Sequence, residues 1–331
     1  MRLSRRGLLA GLGSLALPRA ALAIEQNRFP VEISARRIAA FEPRNPDRRR
    51  FGALQFRGGL VLSCGHPRFG GFSGLSRSAD GRDLVSVSDR GYWLTAKIVS
   101  QDGRPIALDG GEMAAILGAS GRPLARSGLY DTESLCIADG IAYVGIERRH
   151  EIVRFDWARQ GTEARARSVP VPAEIKRLPR NRGLEALGVV PSGPLKGALV
   201  AIAERSGRQD EPTLGVILGG SQPGLFKLAR RDGYDITDLA FLPSGDMLVL
   251  ERWYQPLRGV GMRIRRIAGR DLKPGALLDG PPLIEADLGF EIDNMEGLSI
   301  HHEDGRTILT LISDDNFSFL QRTLLLEFEL A

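Results

Sequence analysis

The chain is poor in the residues that carry much enzyme chemistry. Its 331 residues include two cysteines and four histidines. No CxxC pair and no Cys/His spacing of the zinc type occurs, which excludes a structural zinc module. Cys64 and Cys136 each lie in an apolar, strand-like stretch, so a bridge and two buried thiols both remain open. No G-x-S-x-G elbow exists, since Gly71-Phe72-Ser73-Gly74-Leu75 fails at its last position. Walker loops and dinucleotide fingerprints are missing. After residue 24 no apolar run is long enough to span a membrane, so no membrane span is expected. Long helical periodicity is also lacking, apart from one short helix-like patch, Gly111 to Leu117. The basic cluster Arg48-Arg49-Arg50 has no aromatic platform and reads as a solvated loop, which speaks against nucleic acid as a partner.

The first residues read as an export signal. Ser4-Arg5-Arg6-Gly7-Leu8-Leu9 carries paired arginines, a short apolar stretch runs from Leu8 to Leu17, and Ala21-Leu22-Ala23 offers small residues for cleavage. The expectation is twin-arginine export to the periplasm, with cleavage after Ala23 and a single domain over residues 24–331. Cleavage also changes the electrostatics. The full chain is +5; Arg2, Arg5, Arg6 and Arg19 leave with the signal, so 41 basic residues face 40 acidic ones. The basic balance of the whole chain therefore implies no polyanionic partner.

What the chain does have is a repeat. Five short apolar runs follow turn sequences: Leu84 to Ser88, Ile141 to Ile146, Leu199 to Ile202, Met247 to Leu250 and Ile308 to Ile312. Asp-Gly and Ser-Gly pairs before them supply the positive φ of tight hairpins. An acid or hydroxyl residue opens each hairpin: Ser73, Glu133, Glu185, Asp238 and Glu296. These openings are 52 to 60 residues apart, the length of a four-stranded propeller blade with its loops. Trp93 to Val99 and Glu151 to Phe155 read as third strands. Leu324 to Leu330 has no partner after it, and Gly52 to Phe56 or Leu60 to Leu62 has none before it. Pairing the two ends would remove both edges. The fold class is thus all-β, a propeller of five or six four-stranded blades closed by its N- and C-terminal strands.

An acid closes the second strand of each hairpin: Asp89, Glu147, Glu204, Glu251 and Asp314. Antiparallel pairing sets each opening beside its closure, so all should share one rim of the central channel. Arg90, Arg148, Arg205 and Arg252 follow four of the closing acids. An excess of carboxylates in a concave place either takes up protons or is neutralised by a hard cation. Oxygen ligands without His or Cys suit Ca²⁺ better than zinc. The candidate metal ligands are Asp89, Glu133, Glu185, Glu296, Asp314 and Asp315. Ser73, Arg90, Arg148, Arg205 and Arg252 are the candidate contacts to a small anionic ester or phosphate. Arg90, Glu133 and Glu296 are the candidate catalytic groups. The alternative is a ring of blade-to-blade salt bridges, because a single active site rarely needs five equal corners. Function is then expected where the repeat fails, around Ser73, Asp89, Glu296, Asp314 and Asp315. Among the histidines, His66 is the best placed for a site, while His301 and His302 read as solvated. Trp93, Trp253 and Tyr254 read as covers of blade edges or partners of the arginines.

The stretches Phe69 to Leu75, Ser88-Asp89-Arg90-Gly91, Asp131 to Leu135, Asn181 to Leu187 and Asn294 to Ser299 resemble the phytase-like, "esterase-like activity of phytase" family of exported proteins. The resemblance covers roughly residues 50 to 330. It implies a β-propeller and phosphoester hydrolysis, with clustered Ca²⁺ as in the calcium-dependent propeller phytases. The phosphate-binding lysines of those enzymes have no clear counterpart here, where arginines stand at the rim. Three readings follow: a Ca²⁺-assisted phosphoesterase, a non-catalytic propeller that binds a ligand or partner, and a lactonase or carboxylesterase.

Overall fold

The computed structural model describes residues 27–331, except 129, 209–210 and 256–257. The expected signal and its cleavage site lie outside the described residues. The hairpins form five sheets, each a blade of antiparallel strands, and the chain is a five-bladed β-propeller. Blade 1 runs outward through Phe72–Arg77, Asp83–Ser88, Tyr92–Gln101 and Arg104–Ala115, with Arg28–Pro30 added at its edge. Blade 2 comprises Thr132–Ala138, Ile141–Ile146, Glu151–Asp156 and Arg167–Val169. Blade 3 comprises Leu184–Val189, Leu199–Ala203, Thr213–Leu218 and Gly224–Leu228, and the short Leu277–Leu278 pairs parallel to its edge. Blade 4 comprises Asp235–Phe241, Met247–Gln255, Gly259–Ile267 and Pro282–Asp287.

Blade 5 joins the two ends of the chain. Asn294–Glu303, Arg306–Asp314 and Thr323–Leu330 come from the C-terminal part, and Leu54–Ser63 and Ser34–Ile38 from the N-terminal part. Leu60 to Leu62 falls within Leu54–Ser63 and Gly52 to Phe56 overlaps its start, with Gly52-Ala53 in the turn before it; Leu54 pairs with Leu330 and Leu62 with Thr323. No strand is left over for a sixth blade among the described residues. The patch Gly111 to Leu117 is not helical. Most of it belongs to the long outer strand of blade 1, where Met113 and Ala115 pair with Leu94 and Tyr92.

The core is divided among the joints between blades. Five apolar clusters occur, one per joint. Leu250 of blade 4 meets Met295 and Leu309 of blade 5, for example, and Val87 and Trp93 of blade 1 meet Leu135 and Val144 of blade 2. A blade is therefore apolar on both faces, and its strands read as continuous apolar runs rather than as alternation. Trp93 is wholly buried in this way rather than covering an edge. His301 is buried as well, against the expectation of a solvated turn, while its neighbour His302 is exposed. Cys64 and Cys136 are both free thiols.

Candidate metal centre at the channel mouth

Each innermost strand begins with a β-bulge. The register skips one residue in every blade: Ser73, Glu133, Glu185, Thr237 and Glu296. At a bulge two residues oppose one, so the extra residue escapes the alternation of the strand and is re-aimed. The residue before it stays in the blade core: Phe72, Thr132, Leu184, Ile236 and Met295 are fully buried. The residue after it abuts the next inner strand and is small in four blades: Gly74, Ser134, Ala186 and Gly297. A Cβ on Gly74 would come within 2.7 Å of the Leu135 nitrogen, and one on Gly297 within 2.9 Å of the Leu75 Cβ.

Blade 4 is offset by one residue from the frame its sequence suggests. Its bulge residue is Thr237, so Asp238 takes the place of the small residue. Asp238 is fully buried there and accepts the backbone N–H of Leu298 in blade 5 at 2.7 Å and of Leu239 at 2.8 Å. The second strand shifts in step. Ser88, Ile146, Ala203 and Ser313 face the residue before the bulge in the other blades, and Glu251 faces Ile236. The closing position held by Asp89, Glu147, Glu204 and Asp314 is therefore held by Arg252 in blade 4. Glu251 turns away from the mouth and ties Arg263 and Arg265 together at 2.7 and 2.5 Å. The bulge and closing positions thus bring seven carboxylates and one guanidinium to the mouth, not the nine and four read from the sequence.

These carboxylates converge. One oxygen each from Asp131, Glu133 and Glu147 lies within 4.8 Å of the other two, and the same holds for Glu147, Glu185 and Glu204. Glu147 is common to both triads. Burial drives the carboxyls upward in pKa, and neighbouring negative charge adds to it. Glu133 is raised well above the carboxylate range by desolvation, then by Asp131, Glu296 and Glu147, with a hydrogen bond from Ser73 opposing the rise. Glu185 is raised in the same way by desolvation and by Glu133 and Glu204. Glu147 and Glu204, each mainly desolvated, rise to about 7. Asp314 rises to about 8 through burial and the nearby Glu296, and Asp89 to about 6 through burial. The donors are all carboxylate oxygens, without His or Cys, and their raised pKa values mark a site where negative charge is unfavourable until a proton or a cation offsets it. That set fits a hard divalent cation.

Other expected residues are placed differently around this centre. Glu296 is held by Arg252, whose Nε donates to Oε1 at 2.8 Å, and by the Asn294 amide at 2.9 Å. Asp315 accepts the backbone N–H groups of Gly71 and Phe317, both at 3.0 Å, and the Thr323 hydroxyl at 3.0 Å. Its carboxylate is occupied in tying blade 5 to blade 1. Arg90 is exposed, with its guanidinium 3.2 Å from the centre of the Phe317 ring. Arg148 donates to Asp131 at 2.6 Å and lies over Tyr130, and Arg205 forks onto Asp235. Arg252 alone takes a rim position between acids of several blades, and Glu296, Glu185 and Glu204 raise its pKa against the effect of burial. His66 stacks on Phe29 at 4.3 Å, at the outer edge of blade 1. Asp131 was missed by counting openings and closures. It stands two residues before Glu133 in a left-handed turn (φ 78°), and the pair Asp-x-Glu was the available signal. Glu147 and Glu204 were seen as closures but not as ligands.

Beyond this mouth the channel lining is mixed, with Ser76, Arg77 and Ser299 among apolar side chains. A cavity of about 160 Å³ at its far end is lined from all five inner strands, including Ile137, Val189, Phe241 and Ile300. Burial lifts the Cys136 thiol beside it to about 12, so the thiol is not a nucleophile at neutral pH.

Comparison with solved structures returns propellers at low identity. The PQQ-bound aldose sugar dehydrogenase of Streptomyces coelicolor is 12% identical, covering 91% of this chain and 99% of that one, with a TM-score of 0.44. A D158A mutant of the Cellvibrio cellulosa alpha-L-arabinanase is 12% identical over 77% of this chain and 90% of that one, with a TM-score of 0.44. The comparison with curated proteins gives no match. The phytase-like family, described as "Esterase-like activity of phytase", matches residues 67–317, a span that holds all five bulges and both carboxylate triads, and the chain belongs to that family.

Proposed function

We propose that the protein is a metal-assisted hydrolase of phosphoesters, working at the channel mouth with Ca²⁺ as its fitting cation. The observation that carries this reading is the pair of partly buried carboxylate triads sharing Glu147. Asp131, Glu133, Glu147, Glu185 and Glu204 would hold the cation. Bound there, it supplies neutralising charge and polarises an ester oxygen. Arg252 is anchored by Glu296 and presents its remaining N–H groups to an anionic ester group entering the mouth. Ser73 holds the Glu133 carboxyl in place by its hydroxyl. Family membership supports an ester as substrate. A salt-bridge ring alone accounts less well for the mouth, because of the seven carboxylates at the bulge and closing positions only Glu296 has an arginine within salt-bridge distance among the described residues. We also propose that the chain is exported by the twin-arginine route, on the strength of Arg5-Arg6 and Ala21-Leu22-Ala23.

The test uses residues 24–331 freed of metal and then titrated with Ca²⁺. At a hundredfold excess over Kd the cation should stabilise the fold by about 2.7 kcal/mol and raise Tm by roughly 5 °C. Hydrolysis of p-nitrophenyl phosphate should depend on Ca²⁺ and fall by about 100-fold or more in Glu133→Gln and Glu185→Gln, with the fold retained. Absence of both cation binding and phosphatase activity would sink the proposal. Turnover of p-nitrophenyl acetate or a lactone in place of the phosphate would move it to the carboxylesterase reading.

A further inference from the structure

Exposed apolar side chains are concentrated at one place beside the mouth. Seven large apolar residues are exposed among the described residues, and Tyr254 (63%), Leu288 (61%), Phe319 (95%) and Leu320 (77%) are four of them. Tyr254, Leu288 and Leu320 line a single cleft of about 670 Å³ between blades 4 and 5. Single exposed apolar residues are ordinary, but a group of them around a concave surface marks a ligand site. The cleft is built rather than incidental. Gly259 opens the third strand of blade 4 with φ at 87°, and Leu288 lies so close over it that an added Cβ would meet the leucine Cδ1 at 2.2 Å. A side chain at 259 would be strained by the positive φ and would push the Leu288 tip aside.

The cleft is also continuous with the carboxylate centre. Arg252 and Asn294 line it, and both donate to the same Oε1 of Glu296, at 2.8 and 2.9 Å. An occupant with an anionic end would reach the Arg252 guanidinium while its apolar part lay along Tyr254, Leu288 and Leu320. The exposed Asn316 at the lip adds a neutral donor. Asp293 and Arg322 also line the cleft, but Arg322 is engaged by Glu291 and Asp293, so an anionic end is left to Arg252 and an apolar end to Tyr254, Leu288 and Leu320. A ligand bearing charge on every side, such as a polyphosphorylated ring, would set anionic groups against two leucines.

We propose that this cleft receives the aryl half of an aryl phosphomonoester, and so selects the substrate of the adjoining centre. The proposal rests on the hydrolase reading for its reaction but not for its binding. The mature chain with Ca²⁺ would be titrated with 2-naphthyl phosphate, 2-naphthol and inorganic phosphate by fluorescence and calorimetry. Naphthyl phosphate is expected to bind at least about tenfold tighter than inorganic phosphate. The double variant Leu288→Ser/Leu320→Ser should remove that advantage while leaving phosphate affinity and the Ca²⁺-induced shift in Tm unchanged. Equal binding of the two phosphates, or a variant that binds naphthyl phosphate as the wild type does, overturns the proposal. A dimer that dissociates on the same substitutions would give the apolar wall to a second copy and overturn it too. Naphthyl phosphate bound through the two leucines but never hydrolysed would leave the cleft standing and remove the hydrolase. Hydrolysis unaffected by the double variant would do the reverse.

Discussion

His301 stands on the inner strand of blade 5, with Arg77, Arg57, Glu303 and His302 around it. Burial, helped by the two arginines, lowers its pKa to about 4. The folded state therefore binds fewer protons than the unfolded state between pH 6.5 and pH 4, and stability falls as pH falls through that window. The loss due to this group is about 3 kcal/mol. Denaturant midpoints measured across the window should show the wild type losing that much more than His301→Gln, and parallel curves would refute the assignment. The carboxyls of the mouth have the opposite sign, since their raised pKa values favour the fold at low pH, which is why the comparison is made against the variant. The identity of His301 was plain in the sequence, but its burial was not. His301-His302 has the composition of a turn, and only its pairing with Ile308 sets one ring inward. Asp131 was hidden for a related reason, because its role depends on a left-handed turn that spacing alone does not reveal.

At the level of the strand, hairpins and blade edges were legible because their signals are local: turn chemistry and apolar runs. The frame of blade 4 was not. Leu250-Glu251-Arg252 and Ala203-Glu204-Arg205 look equivalent, yet the bulge falls at Thr237 in one blade and at Glu185 in the other. A bulge has no composition of its own, so a slip of one residue is invisible until the partner strand is seen. Its consequence is that Glu251 belongs to the blade 3–blade 4 joint, where it is wholly buried between Arg263 and Arg265. Arg265 continues to Asp279 and to the carbonyl of Ala229. Removing the acid strips both buried guanidiniums of their shared buried partner and leaves them only the more exposed Asp279, Asp232 and Glu285. Glu251→Ala should therefore cost about 3–5 kcal/mol by equilibrium unfolding, without changing Ca²⁺ affinity. A change below about 1 kcal/mol, or a loss of Ca²⁺ binding in a folded variant, would return Glu251 to the mouth. The outer strand at 111–115 was misread because its glycines and small residues mimic a short helix, and only pairing with Tyr92–Gln101 declares it extended.

For the whole molecule, closure was the feature best foretold, since two unpartnered ends demanded each other. The strand Thr323–Leu330 lies between Leu54–Ser63 and Arg306–Asp314, so the ring closes through it. The proposed twin-arginine route would carry this ring already closed. Cell fractionation should find the full chain in the periplasm, beginning at Ile24. It should find Arg5→Lys/Arg6→Lys, and a chain lacking residues 323–331, retained inside. Efficient appearance of the shortened chain in the periplasm would argue against folded export. The offset of blade 4 matters at this scale as well. Five identical corners would offer a ligand on the axis five indistinguishable rotational poses, and chemistry in any one of them would be diluted by the other four. With threonine and arginine at the corner where the other blades set at least one carboxylate, the degeneracy is lifted. The mouth acquires a compass bearing, one corner at which an anionic group would meet arginine instead of carboxylate.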